Sequence, residues 1–286
     1  MSESVGGVGV VTERTFGTLK VRLEDEVAWL ELNHGKANEM GKAEIGAFEG
    51  LCGWLEAGNA RVLVTSSRRV SSKGTPIFIS GANVTERSTW DTTAIKRHVR
   101  WQRAILARLR RAPVFHVAVV DGIALGWGTE FMLACDWRIA GPSARFGLPE
   151  TSLGIVPGAG GASELAMLVG LPQALRLGMT GEQVGAEEAQ RIGLVDEVVA
   201  SVDAGLARAA ALAAMVRRRS PTAVATFKAA ALAAGGRSED ERRRLEAEAY
   251  EHCVDTGEAA IGRAHFAEIV AGGPPPPWSA FKAWRP

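Results

Sequence analysis

VFHVAVVDGIALGWGTEFMLAC, residues 114–135, passes from an unbroken apolar run, through a glycine-punctuated turn, into a second apolar run. Its first seven residues are short and valine-rich, the pattern of a strand covered on both faces. Asp121 and Gly122 break that run, and Gly126 and Gly128 precede an apolar helix expected over about 129–134. A strand buried on both faces needs a layer on each side, and the repeated strand–strand–helix units around it argue for an α/β architecture with layered sheets.

Working outward, residues 19–23 (LKVRL) and 27–32 (VAWLEL) read as strands around the acidic turn 24–26. A helix is expected over 42–57, strands over 61–65 and 77–79, and a long helix over 92–110 that ends before Pro113. Further on, 137–140 and 144–147 are strand-like and lead into a Gly/Pro-rich loop. Beyond residue 201 the chain becomes alanine-rich, with helices expected over 204–219, 222–234 and 239–254. The run Gly272 to Pro277 cannot be helical. The reading is a flexible segment over 1–14, an α/β core over 15–200 and a helical part with a Pro-rich tail over 201–286.

The 286 residues suit one large domain, and 47% apolar with 23% charged residues is ordinary for a globular chain. A net charge of +1 gives no whole-chain pull towards nucleic acid or membrane. Cys52, Cys135 and Cys253 form no CxxC pair, so neither a metal site nor a disulfide framework is expected. No signal-peptide pattern, long apolar span or C-terminal address stands out, so a cytoplasmic location is expected. The basic residues of the 92–110 helix, among them Lys96, Arg100 and Arg103, read first as a solvated face or a subunit contact. His116, inside the apolar run, reads as a core histidine.

The turn at 121–130 carries the first hint of chemistry. Glycines let backbone amides approach a ligand, and a helix starting there directs unpaired N–H groups outward. Such a place can stabilise a developing oxyanion. Glu130 opens the apolar helix and Glu150 sits in the loop FGLPETSLGIVPGAGG, residues 146–161. Taken singly, each reads more readily as a structural or surface carboxylate than as a functional one.

Together with FISGAN at 78–83 and TGEQVGAEEAQRIGLV at 180–195, these segments resemble the enoyl-CoA hydratase/isomerase (crotonase) superfamily, and the resemblance covers roughly residues 19–266. It implies a spiral of strand–strand–helix units, a helical C-terminal part used in trimer contacts, and a homotrimer or hexamer. It implies an acyl-CoA thioester substrate, with coenzyme A entering as part of that substrate and no separate cofactor or metal. The backbone amides of Ala82 and Trp127 would hold the thioester oxygen, Glu150 would deliver the α-proton and Glu130 would activate water. Lys36, Ala37, Asn83, Val84, Gly126 and Gly158 match positions around the bound CoA ester.

The activity this implies is hydration of a 2-enoyl-CoA or the reverse dehydration. Isomerisation, C–C bond hydrolysis, and CoA or RNA binding without turnover stand as alternatives. Several positions depart from the family pattern, among them Thr85 where a lysine is frequent and residues 161–165 (GASEL) in place of a commoner GTQRL. Asn83 stands for an aspartate, Trp127 for a glycine, and the usual basic residues after Phe266 are missing. The Trp127 indole is expected either to pack structurally or to line the acyl pocket.

Overall fold

The computed structural model describes residues 11–286. In chain order the strands are β1 (Thr12–Phe16), β2 (Leu19–Glu24), β3 (Val27–Leu32), β4 (Val62–Ser67), β5 (Arg69–Val70), β6 (Pro76–Ile79), β7 (Phe115–Val120), β8 (Ile123–Leu125), β9 (Trp137–Ala140), β10 (Arg145–Gly147), β11 (Val184–Gly185) and β12 (Glu197–Val198). The helices begin with α1 (Lys42–Glu56), α2 (Val84–Arg87), α3 (Thr92–Arg111), α4 (Trp127–Leu133), α5 (Ser163–Val169), α6 (Leu171–Thr180) and α7 (Ala186–Arg191). They continue with α8 (Val202–Arg217), α9 (Pro221–Ala233), α10 (Glu239–Asp255), α11 (Glu258–Ala264) and α12 (Phe266–Val270), and a 3-10 turn covers Pro149–Leu153.

The strands form two sheets. The larger runs β1-β2-β3-β4-β7-β9-β12, antiparallel from β1 to β3 and parallel from β3 onward. The smaller runs β11-β10-β8-β6-β5, and its centre, β10-β8-β6, is parallel. Parallel strands must be covered on both faces, and the apolar run at 114–120 duly becomes β7, central in the larger sheet. One face of that sheet shares a core with α1, α3 and α4, built around Phe48, Phe78 and Phe131. The other face packs Val64, Val117 and Val119 against Ala209 and Ala213 of α8.

Three sequence expectations change. Residues 12–14, assigned to a flexible segment, belong to β1, which pairs Thr12 with Leu23; residues 1–10 of that segment lie outside the described residues. The strand was hidden because its side chains are almost all exposed and partly charged, leaving no apolar alternation. Ile123–Leu125, read as part of a turn, is a strand, and α4 therefore starts at Trp127 rather than 129. The packing also does not divide at residue 200. Helix α8 lies so close to the larger sheet that a Cβ on Gly205 would stand 2.6 Å from Val119 Cγ1. No helix among the described residues is long and apolar enough to cross a membrane.

Candidate active site

The three central strands of the smaller sheet fix the site. Ile79 of β6 pairs with Ala124 of β8, and Leu125 of β8 pairs with Gly147 of β10. Ala82 lies three residues beyond Ile79, Trp127 three beyond Ala124 and Glu150 three beyond Gly147. Parallel strands thus deliver all three to one edge, at the carboxyl ends where open α/β sheets hold ligands.

Ala82 closes a bridge to the chain entering α1. The Met40 amide donates to the Gly81 carbonyl at 2.9 Å and the Asn83 amide to the Met40 carbonyl at 3.0 Å. The Ala82 amide takes no part in this pair of bonds. Trp127 is the first residue of α4, so its amide has no acceptor within the helix. The turns are neighbours, since a Cβ on Gly81 would lie 3.3 Å from the Leu125 carbonyl oxygen. Two acceptor-free N–H groups on neighbouring turns are the kind of donors that could receive one carbonyl oxygen.

The GWG sequence has a separate reason at each position. Gly126 has φ +53°, and a Cβ there would meet Glu150 Oε1 at 2.6 Å. A Cβ on Gly128 would stand 2.3 Å from the Ile79 carbonyl oxygen. Position 127 faces the opposite way, into the core. There the Trp127 ring lies 5.9 Å from Phe48 and 5.6 Å from Phe131, and the residue is 2% exposed. The large side chain is accommodated because Phe48 and Phe131 enclose it, with the indole N–H left without a partner in the fold. Of the two expected roles for the indole, packing is the one its contacts support.

Glu130 is 3% exposed, and its Oε1 accepts from the amides of Ala159 at 2.6 Å and Gly161 at 2.9 Å. The glycine-rich end of the 146–161 loop is therefore a cradle for a carboxylate of α4. Burial raises the Glu130 pKa, while the two amides and the charges of Arg103 and Arg87 oppose the rise. Glu150 follows Pro149 in the 3-10 turn, and its Oε2 is buried without a partner. Burial pushes its pKa up to about 7, with the Glu130 charge adding to the rise. A carboxyl poised near neutrality beside one fixed by amides can divide acid and base work.

The remaining candidates sort by what their atoms do. The Ser80 amide donates to the Ala37 carbonyl at 3.2 Å, bringing the exposed Lys36 and the half-buried Ala37 to the rim that carries Ala82. Asn83 caps α2, its Oδ1 accepting from the Glu86 amide at 2.9 Å. Val84 is 64% exposed on the same rim. Gly158 lies against α3, where a Cβ would stand 2.5 Å from Val99 Cγ1, and its carbonyl accepts from Arg103 Nε at 2.8 Å. His116 is buried with Nε2 on Thr65 Oγ1 at 2.9 Å, a core position.

The basic face of α3 is partly consumed within the fold, through Arg108 with Glu56 at 2.8 Å and Arg110 with Glu164. Among the described residues no cluster of His, Cys, Asp and Glu could hold a metal ion. A hollow of about 510 Å³ between α8 and the C-terminal tail, lined by Arg61, Arg218 and Trp278, contains none of the candidate residues. Size alone does not mark the site. The candidate site is singled out instead by two perturbed carboxyls near two backbone amides that have no acceptor in the fold. A smaller hollow of about 230 Å³ adjoins Glu130 and is lined by Arg103, Leu106, Leu133 and Ala159.

Sequence reasoning missed Arg87, His98 and Gln102, which gather beside the glutamates. Arg87 is five residues past Ala82, and its charge acts on both Glu130 and Glu150. Its Nη2 donates to Gln102 Oε1 at 2.6 Å. Only the one-turn spacing of His98 and Gln102 on the inner face of α3 could have drawn attention to them.

Comparison with known proteins identifies the family and the fold. Residues 70–272 match the model of the enoyl-CoA hydratase/isomerase family. Over 252 residues the chain is 32% identical to a probable mitochondrial enoyl-CoA hydratase 2 of Arabidopsis thaliana, covering 88% of this chain and 79% of that protein. The solved structure of an enoyl-CoA hydratase from Bacillus anthracis superposes with a TM-score of 0.81 at 29% identity, over 94% of this chain and 99% of that one. A second, from Geobacillus kaustophilus, gives 0.85 at 25% identity, over 95% and 100%.

Proposed function

The chain belongs to the enoyl-CoA hydratase/isomerase family, as an enzyme of the crotonase superfamily, and we propose that it adds water across the C2–C3 double bond of a 2-enoyl-CoA. One observation carries this reading. Two carboxyl groups of unlike character, Glu130 bonded to two amides and Glu150 with a free buried oxygen, flank a turn that offers outward backbone N–H groups.

In the proposed reaction the thioester oxygen lies between the amides of Ala82 and Trp127. Glu130 takes a proton from water as its oxygen bonds to C3. The electron pair of the double bond moves onto the thioester as an enolate, where the two amides stabilise the negative oxygen. Glu150 then gives its proton to C2. Exchange with solvent returns the proton from Glu130 to Glu150, and the reverse sequence dehydrates a 3-hydroxyacyl-CoA. Lys36 and Ala37 sit on the rim where the nucleotide end of CoA would lie, and Asn83 acts by capping α2 rather than by touching the substrate.

Exposed apolar side chains support self-association as part of this reading. Met167, Leu171 and Met179 on α5 and α6, with Phe227 on α9, Tyr250 on α10 and Phe266 on α12, lie open in the single chain. Surfaces of this kind mark contacts between subunits, and a homotrimer or hexamer would cover them. The three free cysteines fit a reducing compartment.

The test is direct. Purified protein is mixed with crotonyl-CoA, and loss of the conjugated-thioester absorbance is followed together with appearance of 3-hydroxybutyryl-CoA. Hydration confirms the reading. Migration of the double bond in a 3-enoyl-CoA without water addition would replace it with an isomerase, and cleavage of a β-diketone would replace it with a C–C hydrolase. Sedimentation giving a stable monomer at micromolar concentration would rule out the assembly.

A further inference from the structure

Four buried nitrogen atoms stand unpartnered beside the two glutamates. They are Nε of Arg87, Nε2 of Gln102, and both ring nitrogens of His98. His98 is 4% exposed and Gln102 3%, one turn apart on α3 and facing inward. The His98 ring is fixed by edge contacts with Trp90 at 4.9 Å and Trp101 at 5.9 Å between centroids. Arg87 comes from α2, directly after the Ala82 turn, and its charge reaches His98 as well as both glutamates.

Buried polar atoms are almost always satisfied, and a cluster of four that are not calls for a reason. Arg87 adds a charge argument. Its hydrogen-bond partner is the neutral Gln102 oxygen, and among the described residues it forms no ion pair with any carboxylate. Glu86, Glu130 and Glu150 lie within reach of its charge, but none touches it, so the guanidinium keeps donor capacity for an anion that does. An apolar acyl tail would leave all of these groups stranded. A carboxylate offers several lone pairs, enough for the guanidinium fork, the Gln102 amide and one imidazole N–H.

We propose that the preferred acyl group carries a carboxylate of its own beyond C3, received by Arg87 with Gln102 and His98 beside it. This rests on the enoyl-CoA reading above and narrows it to the thioesters of short dicarboxylic acids. The Gln102 oxygen already accepts from Arg87, which leaves its N–H₂ group without a partner in the fold. A CoA phosphate is a poorer occupant, because the nucleotide end lies with Lys36 and Ala37 on the open rim, whereas these nitrogens are sealed beside the reacting carboxyls.

The experiment compares binding of glutaryl-CoA and pentanoyl-CoA, saturated five-carbon thioesters that differ in the terminal carboxylate and cannot be hydrated. Titration calorimetry is run on the wild type, Arg87→Met and Arg87→Lys, with melting curves to establish that each variant is folded. The wild type should prefer glutaryl-CoA by about tenfold or more, the scale of a charge-assisted hydrogen bond. Arg87→Met should abolish or invert that ratio, and Arg87→Lys should keep part of it. Equal affinities in the wild type, or a preference that survives in Arg87→Met, would overturn the inference. Hydration of crotonyl-CoA with no preference for the diacid ester would sink the carboxylate pocket and leave the hydratase reading intact. Preference for glutaryl-CoA without hydration of crotonyl-CoA or glutaconyl-CoA would do the opposite.

Discussion

A single added carbon on Gly126 would stand 2.6 Å from Oε1 of Glu150. The carboxyl that lies near neutrality is thus positioned against a backbone with no side chain. Gly126→Ala should disturb both partners at once, since the φ of +53° is also unfavourable for alanine. Strain of this kind is on the order of 1–3 kcal/mol. The expected outcome is a kcat lowered roughly 10- to 100-fold with a smaller change in KM. A variant that hydrates at the wild-type rate would show that Glu150 does not depend on this contact.

Glu130→Gln and Glu150→Gln should each lower the hydration rate by roughly 10² to 10⁴, the usual weight of a general acid or base. The two should differ in stability. Glu130→Gln exchanges an acceptor held by the Ala159 and Gly161 amides for an amide of either orientation. Glu150→Gln replaces a carboxyl whose Oε2 has no partner. Melting curves should therefore show Glu130→Gln as the less stable variant, and the reverse order would contradict the cradle.

The pH dependence of stability follows from the sign of the Glu150 shift. Its pKa is raised from 4.5 to about 7, so between those values the folded chain holds a proton that the unfolded chain has lost. Stability should fall as pH rises through that window, and Glu130, shifted the same way, adds to the fall. Allowing for the part of Glu150 that solvent still screens, the Glu150 share is roughly 1–2 kcal/mol. Glu150→Gln should flatten this slope, measured by chemical denaturation at pH 5 and pH 8. The hydration rate of the wild type should also decline above about 7 as the acid form is lost.

Trp127→Gly should keep the backbone donor and empty an aromatic cluster shared with Phe48 and Phe131. Loss of a buried tryptophan costs about 3–5 kcal/mol. Activity towards straight-chain esters of different length should then fall in parallel with the melting temperature. A selective gain towards bulky acyl groups would mean that the indole bounds the substrate after all.

Much of the candidate site could be assembled from the chain because its proposed chemistry lies in a few backbone-defining residues. Glycines at 126 and 128, Pro149 and the glycines at 160 and 161 leave an unmistakable spacing. What stayed hidden had no periodic or compositional trace. β8 has three residues, and β5, β11 and β12 two each, too short for alternation to register. That the loop after Pro157 cradles Glu130 rather than serving Glu150 is a tertiary fact, as is the meeting of Arg87, His98 and Gln102. Lone polar residues on an amphipathic helix look like any others until the fold shows which of them point inward.

The irregularity in β6, between Ile77 and Ile79, bears on how this chain can vary. Ile77 pairs with Ile123 and Ile79 with Ala124, so two residues of one strand advance against one of the other. Peptide groups alternate direction along an extended chain. Deleting one residue between 77 and 82 would turn the Ala82 amide away from the cleft while every side chain named above remained present. Insertions and deletions should accordingly be absent from that short stretch in working homologues and admitted in the exposed loop around Ser72 and Lys73. Chain length there is as much a component of the site as either glutamate, and a score based on residue identity alone would not detect its loss.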